Sequence, residues 1–202
     1  MVKTKQELKF FLIADRIMNG RSPHRNLKSV FFEMIFPDYI MKYLSALRHC
    51  EYYAGGYNLS RIVSEYRFKR LGVKLGFSIA RDVFDYGLVI PHYGTVVVGS
   101  GNTVGPYAVL HTGTCITTGK KVIGAGFYLS TGAKVLKDVK IGDNVNVGCN
   151  AVVYENVESS DSFVAGNPAQ VIKDSQAWYI RDGKEYSHRV ALCEEYKKKM
   201  IG

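Results

Sequence analysis

The sequence predicts a parallel β-solenoid preceded by a helical segment, and three observations carry that reading. An aliphatic residue returns at every sixth position, at Val98, Val104, Leu110 and Ile116, then after one extra residue at Ile123, Leu129, Val135, Ile141, Val147 and Val153. Glycine follows several of these anchors (Gly99, Gly105, Gly124, Gly142, Gly148), and the position two before an anchor is often small or β-branched, as at Ala108, Thr114, Ala133, Val139 and Ala151. Composition also shifts near Gly72 to Phe77, after which Val, Ile and Gly dominate. A six-residue step rotates an α-helix by about 600° and scatters the anchors round its cylinder, whereas a short strand and a tight turn bring every anchor inward. Solenoid coils are stabilised by stacking and need several repeats, which ten anchors supply.

The elements follow in order. Residues 7–19 place Leu8, Phe11, Leu12 and Met18 at helical spacing among charged neighbours, closed by Gly20. Residues 27–36 form a second apolar stretch that Pro37 stops. Asp38 reads as the N-cap of a helix through Tyr53, with Ile40, Tyr43, Leu44 and Leu47 on one face and Gly55-Gly56 ending it. A fourth helix is expected over Leu59 to Leu71, with Ile62, Val63 and Tyr66 buried and Arg61, Arg67, Lys69 and Arg70 outward. From Ile79 the chain enters the coils, with Pro91 and Pro106 at corners and a small loop at Thr118-Gly-Lys-Lys121, where the period slips. Past Val153 the repeat decays, and Ala165-Gly-Asn-Pro-Ala169 makes a turn. In the tail, Asp182-Gly183 between Tyr179-Ile180 and Tyr186 is a hairpin signal, followed by a short helix from about Ser187 to Met200. The expected division is a helical part over 1–75, a β-helix over 76–173 and a tail over 174–202.

The formal charge of +9 on 202 residues is unevenly placed. Residues 1–74 carry 14 Lys and Arg against 6 Asp and Glu, residues 75–172 carry 6 against 7, and residues 173–202 carry 7 against 5. The basic N-terminal part suits an anionic membrane surface, an acidic polymer or a phosphorylated cofactor; a plain solvated surface explains it equally well. No nucleic-acid reader motif accompanies the charge, so nucleic acid is not expected as a partner. Four scattered cysteines, Cys50, Cys115, Cys149 and Cys193, form no CxxC pair and argue against a zinc ribbon or a disulfide framework; Cys115 and Cys149 read as small buried coil positions. The apolar run Phe10 to Ala14 is too short for a signal-peptide core or a membrane span, which makes the cytoplasm the expected location. Gly99-Ser-Gly101 with Gly105 has the wrong spacing for a dinucleotide loop, and His24, His111 and His188 lie in three separate regions, so no metal is expected. Asn58-Leu-Ser60 fits a glycosylation triplet that a chain without a leader would not expose to that machinery.

The run Gly87-Leu-Val-Ile-Pro-His92-Tyr-Gly-Thr-Val-Val-Val98-Gly, followed by Leu110-His111-Thr-Gly-Thr-Cys-Ile116, resembles the serine O-acetyltransferases of the left-handed β-helix, hexapeptide-repeat acyltransferase superfamily. Thr131-Gly-Ala-Lys134, Val147-Gly-Cys-Asn-Ala-Val-Val153 and Val164-Ala-Gly-Asn-Pro-Ala-Gln-Val-Ile172-Lys resemble its later coils and closing turn. The resemblance covers most of residues 5–173 and implies a left-handed parallel β-helix, acetyl-CoA as co-substrate, a small acceptor that is serine or a sugar, and at least a homotrimer. It implies His92 as general base, since transfer from a thioester to an alcohol needs a hydroxyl that loses its proton as it attacks. An imidazole is suited to that at neutral pH, and backbone N–H groups at glycine corners are candidates for steadying the oxyanion. Read without the family, His92 is more simply a corner residue bonded to a carbonyl, and His111, one coil on, is either structural or substrate-lining.

For the acetyl-CoA groove the resemblance implies Gly132, Ala133, Lys134, Asn150, Ala151, Gly166, Pro168 and Lys173, although solenoid corners call for such small residues anyway. Where the family pattern has one Asp well ahead of the histidine and another directly before it, this chain has Phe77 and Pro91. Asp82 or Asp85 is the candidate substitute. The family's loop carrying Arg and a second His is reduced to Thr118–Lys121. The acceptor is therefore left open between L-serine, which would mean cysteine biosynthesis, and a sugar hydroxyl of a capsular or exopolysaccharide precursor. A non-catalytic solenoid scaffold is the third reading.

Overall fold

The structure, a computed structural model, describes residues 2–56 and 59–202 apart from the side chain of Ser29; Asn58 of the glycosylation triplet lies outside the described residues. Four helices precede the coils: α1 (Lys5–Met18), α2 (Leu27–Ile35), α3 (Tyr39–Tyr52) and α4 (Leu59–Leu75). Thr4 and Glu7 close a reciprocal capping box at the start of α1, and Asp38 accepts the Met41 N–H at 3.0 Å to cap α3.

The coils are triangular. One face stacks β1 (Phe77–Ile79), β2 (Val96–Val98), β5 (Thr114–Ile116), β8 (Lys134–Val135) and β11 (Val152–Val153) in parallel register. A second face stacks β3 (Thr103–Val104), β6 (Val122–Ile123) and β9 (Lys140–Ile141). The third stacks β4 (Val109–Leu110), β7 (Tyr128–Leu129), β10 (Asn146–Val147) and β12 (Ser162–Gly166), and β13 (Ala169–Asp174) closes it antiparallel to β12. All ten anchors point inward and are at most 4% exposed. The result is the parallel β-helix of about 5 turns, with a helical N-terminal part, that the repeat predicts. The extra residue at Thr118–Lys121 is visible as a change of register: Val98 pairs with Ile116, but Thr103 pairs with Val122.

The helices grip the first coil through one buried cluster. Arg48 of α3 is 0% exposed. It donates to Asp15 of α1 at 2.8 Å, to Glu51 at 3.1 Å and to the carbonyls of Phe84 and Asp85, each at 2.8 Å. Asp15 in turn accepts the N–H groups of Gly87 and Leu88. One guanidinium thus ties two helices to a coil, satisfying donors on all sides as a buried charge requires.

Three expectations are corrected. Helix α4 is turned over: Ile62, Val63 and Tyr66 are exposed, while Ser64, Gly72 and Leu75 are buried and Phe68 and Leu71 pack against the core. This helix has two apolar stripes, and the one that contains Phe68 stacks on Tyr43 at 5.0 Å. The tail is no hairpin. It forms α5 (Trp178–Arg181) and α6 (Lys184–Met200) with Gly183 at φ 127° between them, because Trp178 is driven inward and its indole N–H donates to the Tyr107 carbonyl at 2.8 Å. Cys149 is exposed and Cys115 half-buried, since both occupy outward-facing or corner positions. Tail and α1 together cover the third face: Val109, Tyr107 and Tyr86 share a buried cluster with Phe10, Phe11 and Trp178.

Candidate active site

The candidate residues gather at the edge where the third face turns into the first. Val89 is bridged to Val109 and Val96 is paired with Thr114, so the chain takes seven steps round this corner in the first coil and five in the second. The two surplus residues make the Pro91–Gly94 corner project, and His92 stands exposed on it. His111 lies at the same edge one coil on, half-buried, its Nε2 2.7 Å from the Tyr128 hydroxyl. Burial, with a smaller contribution from the facing His92, lowers the pKa of His111 from the usual imidazole value, and Asp182 opposes the shift. His111 is therefore neutral at pH 7.

Below the histidines the same edge carries Gly132 at φ 75° and Asn150 at φ 57°, on successive coils. A Cβ on Gly132 would meet Asn150 Oδ1 at 2.0 Å, so a larger residue there needs both the left-handed backbone and a shift of the Asn150 side chain that lies against it. Ala133 and Ala151 point into the core and offer only their backbone. Lys134 is exposed and donates to the Gly132 carbonyl at 2.9 Å. The β12–β13 hairpin brings Gly166 and Pro168 over the last turn of the edge, whereas Lys173 sits further back, its amine 5.9 Å from the Phe163 ring centre.

Other expectations are not met. Asp82 turns the corner between the first and second faces and Asp85 follows the bridge from Phe84 to Val104 on the second, so neither shares an edge with His92. The Asp85 carboxylate accepts its neighbour's N–H, from Tyr86, at 2.8 Å. The amides of Gly113 and Gly132 donate to the carbonyls of Thr95 and Thr112 and hold coil on coil, and that of Gly94 donates to the Leu75 carbonyl at the end of α4, so none of the three faces an oxyanion. Sequence reasoning missed Tyr128, Arg181 and Asp182. Arg181 lies over the Tyr128 ring at 4.8 Å and grips Asp182, bringing the tail to this edge. Wrapping the sequence at one coil per 18 or 19 residues would have set Tyr128 beside Val109; nothing in it pointed to Arg181. Among the described residues no group of three or more His, Cys, Asp or Glu is placed to hold a metal ion.

Triangular coils of three hexapeptides, a helical cap and an imidazole on a projecting corner define a hexapeptide-repeat β-helix protein. Within that class the chain is similar to the serine acetyltransferase of Staphylococcus aureus, 37% identical over 109 residues that cover 50% of this chain and 49% of the relative. It is likewise similar to the serine acetyltransferase of Staphylococcus xylosus, 32% identical over 142 residues covering 66% of this chain and 62% of the relative. The chain thus spans about half to three-fifths of the length of these curated relatives. No family model matches it. Among solved structures, soybean serine acetyltransferase complexed with serine superposes with a TM-score of 0.64 at 22% identity, over 82% of this chain and 70% of that one. A serine acetyltransferase in complex with CoA gives 0.63 at 18% identity, over 83% and 70%. These structures share the fold, and the sequence relatives support the resemblance to serine acetyltransferases.

Proposed function

We propose that this chain is an acetyl-CoA-dependent O-acetyltransferase of the serine acetyltransferase type, with His92 as general base. The observation that carries this reading is His92 on a corner two residues longer than the next, beside a second imidazole. The acceptor O–H gives its proton to His92 as its oxygen attacks the thioester carbon. The C–O bond forms, the C–S bond breaks, and the departing thiolate takes the proton back to leave as CoA. The small residues at Gly132 and Ala133 and the edge running on through Asn150 to Gly166 and Pro168 suit an extended thioester arm, and Lys134 is an exposed cation on that stretch.

The acceptor we favour is L-serine, in line with the sequence relatives and the serine-bound neighbour. Phe77, 6% exposed in β1, and Pro91 leave no carboxylate at two positions of the family pattern, and that specific observation keeps a sugar hydroxyl as the second reading. Assembly into at least a trimer belongs to the same proposal, supported by Val97 and Val122, which are 38% and 54% exposed on the outer faces of the coils. So does a cytoplasmic location, although all that the described residues contribute is that none of their helices is long and apolar enough to cross a membrane.

The test is release of free CoA when the protein meets acetyl-CoA with L-serine or with a panel of nucleotide sugars and oligosaccharides. Serine-dependent release that falls at least a hundredfold in His92→Ala, with CoA affinity unchanged, is the expected result. Release with sugars alone moves the assignment to glycan modification, and full activity in His92→Ala removes the base.

A further inference from the structure

We propose that the C-terminal segment completes this site: Tyr128, held by Arg181, fixes His111 as the group that orients the acceptor hydroxyl toward His92. The inference rests on the acetyl-transfer reading above and gives a role to residues beyond the repeat.

The contacts run in an unbroken series from the tail to His111. Trp178, 2% exposed and bonded to the Tyr107 carbonyl at 2.8 Å, anchors α5 on the third face. From that anchor Arg181 reaches back over the Tyr128 ring. Its Nη1 donates to Asn146 Oδ1 at 2.8 Å, and its Nε and Nη2 grip the two carboxylate oxygens of Asp182 at 2.6 and 2.9 Å. A guanidinium fixed on three sides leaves the phenol below it little freedom. The phenol hydroxyl meets His111 Nε2 at 2.7 Å, with the two rings 5.0 Å apart.

Burial raises the pKa of Tyr128, so its hydroxyl keeps its proton, and in the proposed arrangement it donates that proton to Nε2, one of the two directions the 2.7 Å contact allows. A neutral imidazole that accepts at Nε2 carries its own proton on Nδ1, which makes His111 a donor. A fixed N–H next to a general base is what holds an acceptor oxygen by a lone pair while its proton leaves. The charged and titratable groups around His111 are His92, Tyr128 and Asp182, with Asp182, Arg181, Cys149 and Tyr186 acting on Tyr128. Tyr128 and Arg181 are positioning residues; only His111 would touch the acceptor.

Full-length Tyr128→Phe and Arg181→Gln test this. Tyr128→Phe removes only the hydroxyl and Arg181→Gln removes the guanidinium while keeping a polar side chain, and thermal unfolding with CoA titration checks that fold and CoA site are intact. Expected are a KM for the acceptor raised by about three- to tenfold with CoA affinity unchanged, and a larger effect in Tyr128→Phe than in Arg181→Gln. Losing the phenol donor removes a bond that favours the neutral ring, so the His111 imidazole signal followed by NMR should titrate at higher pH in Tyr128→Phe. The acid limb of the pH profile should move up with it. Wild-type KM and an unmoved His111 titration in both variants would overturn the inference while leaving acetyl transfer standing. A wild-type protein that releases CoA with no acceptor removes the acetyl-transfer reading, and this inference with it.

Discussion

Gly132 shows what a single residue does at this edge. At φ 75° and with Asn150 Oδ1 only 2.0 Å from where a Cβ would stand, alanine suffers both backbone strain and a clash. Gly132→Ala is expected to lower stability by about 1–3 kcal/mol, measured by urea unfolding with unchanged m-value. Asn150, one coil on at φ 57°, tolerates the same conformation because its short polar side chain is among the few that do. That these positions are corners was legible from the repeat. That the corner amides are committed to neighbouring coils was not, because a sequence shows the turn but not the carbonyl stacked against it.

Among the elements, α3 is tied to its neighbours by Arg48 as well as by the buried Tyr43, Leu44 and Leu47. Arg48→Ala leaves Asp15 and Glu51 buried without their cation and is expected to cost about 3–5 kcal/mol, read as a fall in the urea midpoint. Burial already raises the Glu51 pKa against the pull of Arg48. With that pull gone the pKa rises further, and the variant should recover part of its stability as pH falls and Glu51 takes up a proton. At this scale the sequence was least informative. Periodicity marks an apolar stripe on a helix but not which side the rest of the chain approaches, and α4 carries two stripes, so Ile62, Val63 and Tyr66 were assigned to the wrong side. In the tail, Asp182-Gly183 is a turn in either reading. What decided for helices was the docking of Trp178 on a face built by residues about 70 positions earlier.

For the whole molecule, the repeat made the β-helix and the slip at Thr118–Lys121 readable, because a strict period leaves one way to bring every anchor inside, but not the first and last coils, whose lengths depart from that period. The site was half-readable: His92 and His111 stood out as imidazoles at a coil edge, but the partners of His111 come from a different coil and from the tail. Exposed apolar residues on coils and helices make the proposed trimer a statement about the complete particle. Light scattering after gel filtration is expected to give three times the chain mass or more, and a monomer at micromolar concentration would remove that part of the proposal.

The edge from His92 through His111, Gly132 and Asn150 to the Gly166 hairpin also acts as a ruler. Coils stack at the spacing of paired strands, about 4.8 Å, so four steps set the two ends about 19 Å apart. That length is counted in whole coils and cannot be tuned by side-chain substitution. Excising one coil of 18 residues, the Tyr128-to-Asn146 interval, would shorten the gauge by a single notch. A ligand that touches both ends is thereby selected by its reach, and a gauge one coil short would turn any such ligand away while every residue at each end stayed in place.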